Sequence, residues 1–216
     1  MALPWRRWLR PHEAADDARW VVLDVEASGL DASHDRLLAI AALGVHIEHD
    51  RARIVLTDSF EVVLRQPARG TPPDKANILL HGIGVGAQRD GVDPAAALGA
   101  FVAFIARSPL LAFHAAFDRT LIERHMAQAA LPSLDRPWLD LAPLAAVLHP
   151  DVRAHSLDEW MAHFGIVCAQ RHQAAADTLA TAELLLRLWP GLREQARDTR
   201  IATARKLAAQ QRWLAP

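Results

Sequence analysis

Asp24 and Glu26 stand two residues apart at the end of the apolar run WVVLDVE, residues 20–26. Side chains alternate along a β-strand, so both carboxylates share one face and Val25 takes the other. Two such acids at the end of a buried strand repel each other and lose hydration. They require a positive partner, and a divalent cation bound through oxygen is the natural candidate. Asp118 follows a second apolar run, 110–114, and opens a predicted helix, where a carboxylate also complements the positive end of the helix dipole. Asp177 lies near the start of another patterned helix, five residues after His172. On one continuous helix, five steps of about 100° would leave the two side chains about 140° apart. They can converge only if His172 stands on the loop before the helix.

The elements that must position these groups follow from periodicity and turn chemistry. Residues 20–26, 36–49 and 54–64 read as strands, with a hairpin turn at Glu48-His49-Asp50-Arg51. The Pro- and Gly-rich stretches 66–75 and 82–91 read as loops. Asp93-Pro94 is a cap followed by proline in the first helical position, opening a helix to about residue 107. A short buried strand at 110–114 precedes a helix over 118–129, and 138–141 reads as another strand. Ser156 and Glu159 have capping-box spacing for a helix to 164. An amphipathic helix over 173–188 is expected to stop at Trp189-Pro190-Gly191, leaving a helical, partly exposed tail over 192–214. Strands first, then helices alternating with strands, predict an α/β domain with a mixed sheet.

Composition narrows the classes. The 216 residues are 51% hydrophobic and 23% charged, which excludes a disordered chain. Lys+Arg 24 against Asp+Glu 25 leaves no global positive field, so any nucleic acid must be held at a local site. The single cysteine, Cys168, excludes a disulfide framework and a Cys-based zinc cluster, and a cytoplasmic setting is expected. No apolar run reaches the roughly 18 residues of a membrane span. Residues 1–19 are expected to form an N-terminal docking segment that buries Trp5 and Trp8, with membrane-surface contact as the alternative.

Taken singly, each acid has an ordinary structural reading. In this order they are far more specific, and they resemble the DEDDh family of 3′–5′ exonucleases, the DnaQ-like group that includes proofreading subunits of replicative polymerases. The first family motif, Asp-x-Glu-Thr-Thr-Gly-Leu, is similar to Asp24-Val25-Glu26-Ala27-Ser28-Gly29-Leu30. The second, His-Asn-Ala-x-Phe-Asp, resembles His114-Ala115-Ala116-Phe117-Asp118 with its preceding Phe113, though histidine replaces the asparagine. The third, His-x-x-x-x-Asp, matches His172-Gln173-Ala174-Ala175-Ala176-Asp177. His81-Gly82-Ile83, Trp138-Leu139-Asp140 and Ser156-Leu157-Asp158 repeat minor family features. Tyrosine is absent, which excludes the sister subclass that uses it in place of the histidine.

The resemblance implies a ribonuclease H-like mixed β-sheet flanked by helices, with an exonuclease domain over 20–190 and a C-terminal helical tail over 191–216. It implies two Mg²⁺ ions, with Mn²⁺ a substitute, held by Asp24, Glu26, Asp118 and Asp177. His172 would be the general base, and activity would rise with pH as it loses its proton. Ala27, Ser28, Gly29 and Leu30 would floor the 3′-terminal nucleotide, with His81 a further substrate candidate. DNA is the favoured substrate and RNA the second. Two rival readings differ in class: an assembly module docking a polymerase or another protein through the tail, and a metal phosphatase of small nucleotides. Oligomeric state stays open.

Overall fold

The computed structural model describes residues 15–67 and 74–213. Trp5, Trp8 and most of the expected docking segment lie outside the described residues. Strand β1 (Arg19–Ala27) is the centre of a five-stranded sheet of order β3-β2-β1-β4-β5. Trp20, Val21, Val22 and Leu23 are fully buried, the signature of a strand covered on both faces. Strands β2 (Leu37–Glu48) and β3 (Arg51–Val63) continue it as an antiparallel meander, while β4 (Leu110–Ala112) and β5 (Trp138–Asp140) run parallel to β1. The sheet is therefore mixed, as expected. The β2–β3 turn is made by His49 and Asp50 at φ 47° and 66°. Two left-handed residues give a turn whose twist matches that of the flanking strands.

Helices cover both faces. On one lie α3 (Pro94–Ile105) and α4 (Ala115–Gln128), packed on Val21, Leu23 and Val25. On the other lie α5 (Leu141–Leu148), α6 (Leu157–Phe164), α7 (Ala174–Ala196) and α8 (Ile201–Ala208), packed on Trp20 and Val22. Local chemistry sets the helix starts. Asp93 accepts from the N–H groups of Ala95 and Ala96 ahead of Pro94, and Ser156 and Glu159 form the full capping box.

Four sequence expectations change. The loop over 82–91 contains α2 (Val85–Asp90), which follows the unpredicted α1 (Lys75–His81). Buried Gln88 donates to Ile83 O, and its own carbonyl accepts from Gln66 N–H. These tertiary ties outweigh the poor helix propensity of the glycines. Helix α4 begins at Ala115, three residues before Asp118, and α5, capped by Asp140, was also unpredicted. Helix α7 runs through Pro190 to Ala196. Proline removes one helical hydrogen bond, but continuation buries Leu192 and lets Trp189 Nε1 and Arg193 Nη1 donate to Asp50 O at 2.9 Å each. The expected boundary at 190/191 thus falls inside a helix.

The tail is also not a free amphipathic face. Ile201, Ala204, Leu207 and Ala208 are buried in the core shared with α5 and α7. Burying these residues removes apolar area from water at roughly 25 cal/mol per Å², so the apolar stripe that was to dock a partner is already used inside the chain. Among the described residues, no helix is long and apolar enough to cross a membrane.

One partly buried ion pair clamps the sheet on the α3 side. Arg19 meets Asp58 with both ends of its fork, Nε to Oδ2 at 2.7 Å and Nη2 to Oδ1 at 2.8 Å. Arg19 Nη1 also donates to Ser108 Oγ, and His46 Nε2 lies 2.7 Å from Asp58 Oδ2. Gly44 makes room, since a Cβ there would collide with the Asp58 carboxylate. The Arg19 hydrogen bond holds the Asp58 carboxyl down from 3.8 to about 2. A depressed acid stabilises the fold above its unfolded pKa and loses that contribution as pH falls through the folded value. Asp58→Ala should therefore lower unfolding free energy by about 2 kcal/mol at pH 7. In urea melts the deficit should shrink between about pH 4 and pH 2; a deficit that persists at pH 2 would show that packing dominates.

Candidate active site

The carboxylates come from three elements that meet at the C-terminal ends of the parallel strands, where open α/β sheets form their ligand crevices. Asp24 and Glu26 lie on the face of β1 that also carries Trp20 and Val22, as period two requires. Their cross-strand partners on β2 are Ala41 and Ala39, buried residues with small side chains. The register shifts between Glu26 and Ala27, re-aiming the chain as it leaves the sheet.

Asp118 sits in the first turn of α4 and is 4% exposed. The backbone of Val25, the residue between the two strand acids, favours the ionised form of Asp118, though burial outweighs this. Asp177 sits in the first turn of α7 and is 6% exposed. The next residue, Thr178, donates from Oγ1 to Ala41 O at 3.3 Å, docking the start of α7 on the cross-strand partner of Asp24. Both helices turn their positive ends toward the acids. His172 stands on the turn before α7 at φ 60°, so it is on the loop that convergence required. Its backbone N–H donates to Asp177 Oδ2 at 3.0 Å, while its side chain is exposed.

Gathering the acids has an electrostatic consequence. Burial pushes the Asp24 carboxyl well above the usual carboxylate range, and the charges of Asp118, Glu26 and Asp177 push it further. Burial, with Asp177 next, raises Glu26 from 4.5 to about 8. Burial, with Asp140 beside it, raises Asp118 from 3.8 to about 7. Asp140 itself caps α5 and accepts from His114 N–H at 3.0 Å, tying β5 to the turn before α4. The cation in contact with the group is Arg171, ion-paired to Asp177 and to Asp158. Among the described residues, no three His, Cys, Asp or Glu side chains are closed into a metal-ligand cluster. The donor set nevertheless suits a hard divalent ion: all four groups are carboxylates, and a cation would offset the like charge gathered there.

The predicted substrate residues divide. Leu30 is 95% exposed, an apolar side chain on the loop that follows β1. Ser28 Oγ donates to Asp35 Oδ1 at 2.8 Å and accepts from Arg36 N–H, so its polar groups are engaged within the loop. Gly29 packs on the same carboxylate: a Cβ there would lie 2.5 Å from Asp35 Oδ2. Glycine at this position is required by Asp35, whatever approaches from solvent. Asp35 is the hub of that turn and also accepts from Asp31 N–H. The i, i+4 spacing of Asp31 and Asp35 gave no sign of this. His81 is buried, with Nε2 2.6 Å from Asn77 Oδ1 and Nδ1 accepting from Ile83 N–H. Both of its ring nitrogens are used within α1 and its C-cap. His114 takes φ 61° at the N-cap of α4. Asparagine and histidine are both enriched in that left-handed conformation, which accounts for the exchange of one for the other.

A mixed sheet of this order, covered on both faces and carrying acids at the ends of its strands, is a ribonuclease H-like fold. The chain superposes on exonuclease I of E. coli in complex with a dT13 oligonucleotide with TM-score 0.69 and 17% identity over 87% of this chain and 45% of that one. A further structure of exonuclease I superposes with TM-score 0.68 and 17% identity, covering 83% of this chain and 44% of that chain. A family profile described as an exonuclease, RNase_T, matches residues 21–185, and the chain belongs to that family. It is similar to the PolC-type DNA polymerase III of Bacillus subtilis, 30% identical over 180 residues. The Clostridium perfringens protein of the same description is 29% identical over 177 residues. The matches take in 82% and 81% of this chain, which spans only 12% and 11% of the two polymerases.

Raised carboxylates oppose folding once they ionise. The folded protein keeps protons that the unfolded chain releases at its ordinary carboxylate pKa values, so stability falls as pH rises toward the folded values. In chelator, the melting temperature should drop between about pH 5 and pH 8, and Asp118→Asn should flatten the drop. A saturating divalent cation should restore the wild type at pH 8 and not the variant to the same extent. A wild-type melting temperature independent of pH in chelator would remove this electrostatic account.

Proposed function

We propose that this chain is a metal-dependent 3′–5′ exonuclease acting on the 3′ end of nucleic acid, with DNA favoured over RNA. The observation that carries the reading is the convergence of Asp24, Glu26, Asp118 and Asp177, from β1, α4 and α7, beside His172 on a turn tied to Asp177. The DNA preference is supported by the names of its relatives, which are DNA polymerases and an exonuclease seen with oligodeoxynucleotides.

In this reading Asp24, Glu26, Asp118 and Asp177 would hold two Mg²⁺ ions, Glu26 and Asp177 serving the first and Asp118 the second, with Mn²⁺ a substitute. The ions would supply an activated water and relief of charge on the leaving 3′ oxygen. His172 takes the water's proton at its imidazole, and its exposure gives that proton a route to solvent. The Asp177 contact to its backbone fixes where the ring starts from. Leu30 offers an apolar surface to the terminal base or sugar. Ser28 and Gly29 hold that loop in place through Asp35, with Ala27 and His81 the remaining substrate candidates.

The test uses 5′-labelled single-stranded DNA and RNA oligonucleotides with Mg²⁺. The products should form a ladder shortening from the 3′ end, absent in chelator and in Asp24→Ala, with DNA degraded faster. His172→Ala should slow cleavage by roughly 10²–10⁴-fold and lose the rise of rate with pH. Internal cleavage, or faster hydrolysis of mononucleotide esters than of oligonucleotides, would overturn the reading. A His172→Ala enzyme at wild-type rate across pH 6 to 9 would remove the base assignment alone.

A further inference from the structure

Arg171 has a role that the exonuclease reading leaves unassigned. It precedes His172 on the turn before α7 and is 27% exposed. One edge of its guanidinium meets Asp158 in the first turn of α6, Nε to Oδ1 at 2.6 Å and Nη2 to Oδ2 at 3.3 Å. The remaining nitrogen, Nη1, is in ion-pair contact with Asp177 Oδ1. Arg171 thus bridges a surface carboxylate and one of the four acids, and its charge opposes the proton uptake of both Asp24 and Glu26. Asp177 is simultaneously held by His172 N–H on its other oxygen and approached by Cys168 Sγ at 3.5 Å. The turn carrying His172 therefore hangs on one carboxylate that a metal would also claim.

We infer that Arg171 is the resident counter-cation of the metal-free site, anchored by Asp158, and that a divalent ion binds by displacing its Nη1 edge from Asp177. The physical basis is competition. A guanidinium and a divalent ion cannot both saturate the same carboxylate oxygen, and two cations side by side repel. The Asp158 contact uses the opposite edge of the fork and does not compete, so the displaced Arg171 stays tethered and the turn keeps its anchor. Arg171 and Asp158 are positioning residues in this scheme, acting on metal loading and on the turn that bears His172.

This inference rests on the metal-dependent reading, and its test measures binding without turnover. Mn²⁺ titration by calorimetry, with no nucleic acid, is compared for wild type, Arg171→Gln, Arg171→Lys, Asp158→Asn and Asp24→Ala, each checked for fold by circular dichroism. Arg171→Gln should bind Mn²⁺ more tightly, by on the order of tenfold, and should melt lower in chelator because the acids lose their counter-charge. Arg171→Lys keeps charge without the fork and should fall between. Asp158→Asn should also tighten Mn²⁺ binding, by less. Unchanged or weaker binding in both Arg171→Gln and Asp158→Asn would overturn the inference and mark the pair as purely structural. Failure of wild type to bind Mn²⁺ at all, or binding that survives Asp24→Ala unaltered, would instead sink the metal-dependent reading. Should Arg171→Gln fail to fold, Asp158→Asn decides between the two.

Discussion

Asp24 and Glu26 share one face of a strand whose preceding residues are fully buried, and the fold then brings Asp118 and Asp177 against them. Everything else in the molecule has to live with that concentration of like charge. Its effect is written in the elevated carboxyls of Asp24, Glu26 and Asp118, for each of which burial is the largest cause. Proteins do not gather four acids around a desolvated point to gain stability. The crowding is eased at two of the four acids: Asp118 and Asp177 lie in first helical turns, and Asp177 also accepts from His172 N–H and pairs with Arg171.

The supports are divided among elements with different jobs. Strand β1 supplies rigidity, since both of its faces are packed and a shift of one residue would send the acids to the opposite side. Helices α4 and α7 supply the other two carboxylates from their first turns, where dipole and free N–H groups favour negative charge. Two cross-links are specific: Thr178 Oγ1 to Ala41 O, and Asp140 to His114 N–H. Alanines at 39 and 41 on β2 lie opposite Glu26 and Asp24 and keep the facing side chains small.

The side that reacts is less tightly built than the side that supports. His172 is exposed on a turn in a left-handed conformation, and that turn is secured through Asp177 and the Arg171–Asp158 pair. The region around Leu30 is secured differently, by Asp35 gathering Ser28 and Asp31 and by Gly29 lying against it. Under the proposed reading, a turn anchored on Asp177 would couple its geometry to whichever cation that carboxylate holds. The loop bearing Leu30, anchored on Asp35, would have no such dependence.

Much of the site was legible in the sequence because it rests on local rules. Period two alone put Asp24 and Glu26 on one face. The five-residue spacing of His172 and Asp177 required a turn before a helix, and the order of motifs selected a family. Caps at Asp93 and Ser156 and the His49-Asp50 hairpin were equally local. Tertiary structure decided what depends on burial and on distant partners. Helix α7 passes Pro190 because Leu192 and the Asp50 contacts outweigh one lost hydrogen bond, and α8 turns its apolar stripe inward against α5. Gly29 answers to Asp35, and both His81 nitrogens are consumed at home. The pairing of Arg171 with Asp177 and Asp158 lay beyond any spacing rule, since α6 and the turn before α7 meet only in the folded chain. Residue types and local periodicity determine which groups can act; long-range packing decides which of them remain free to do so.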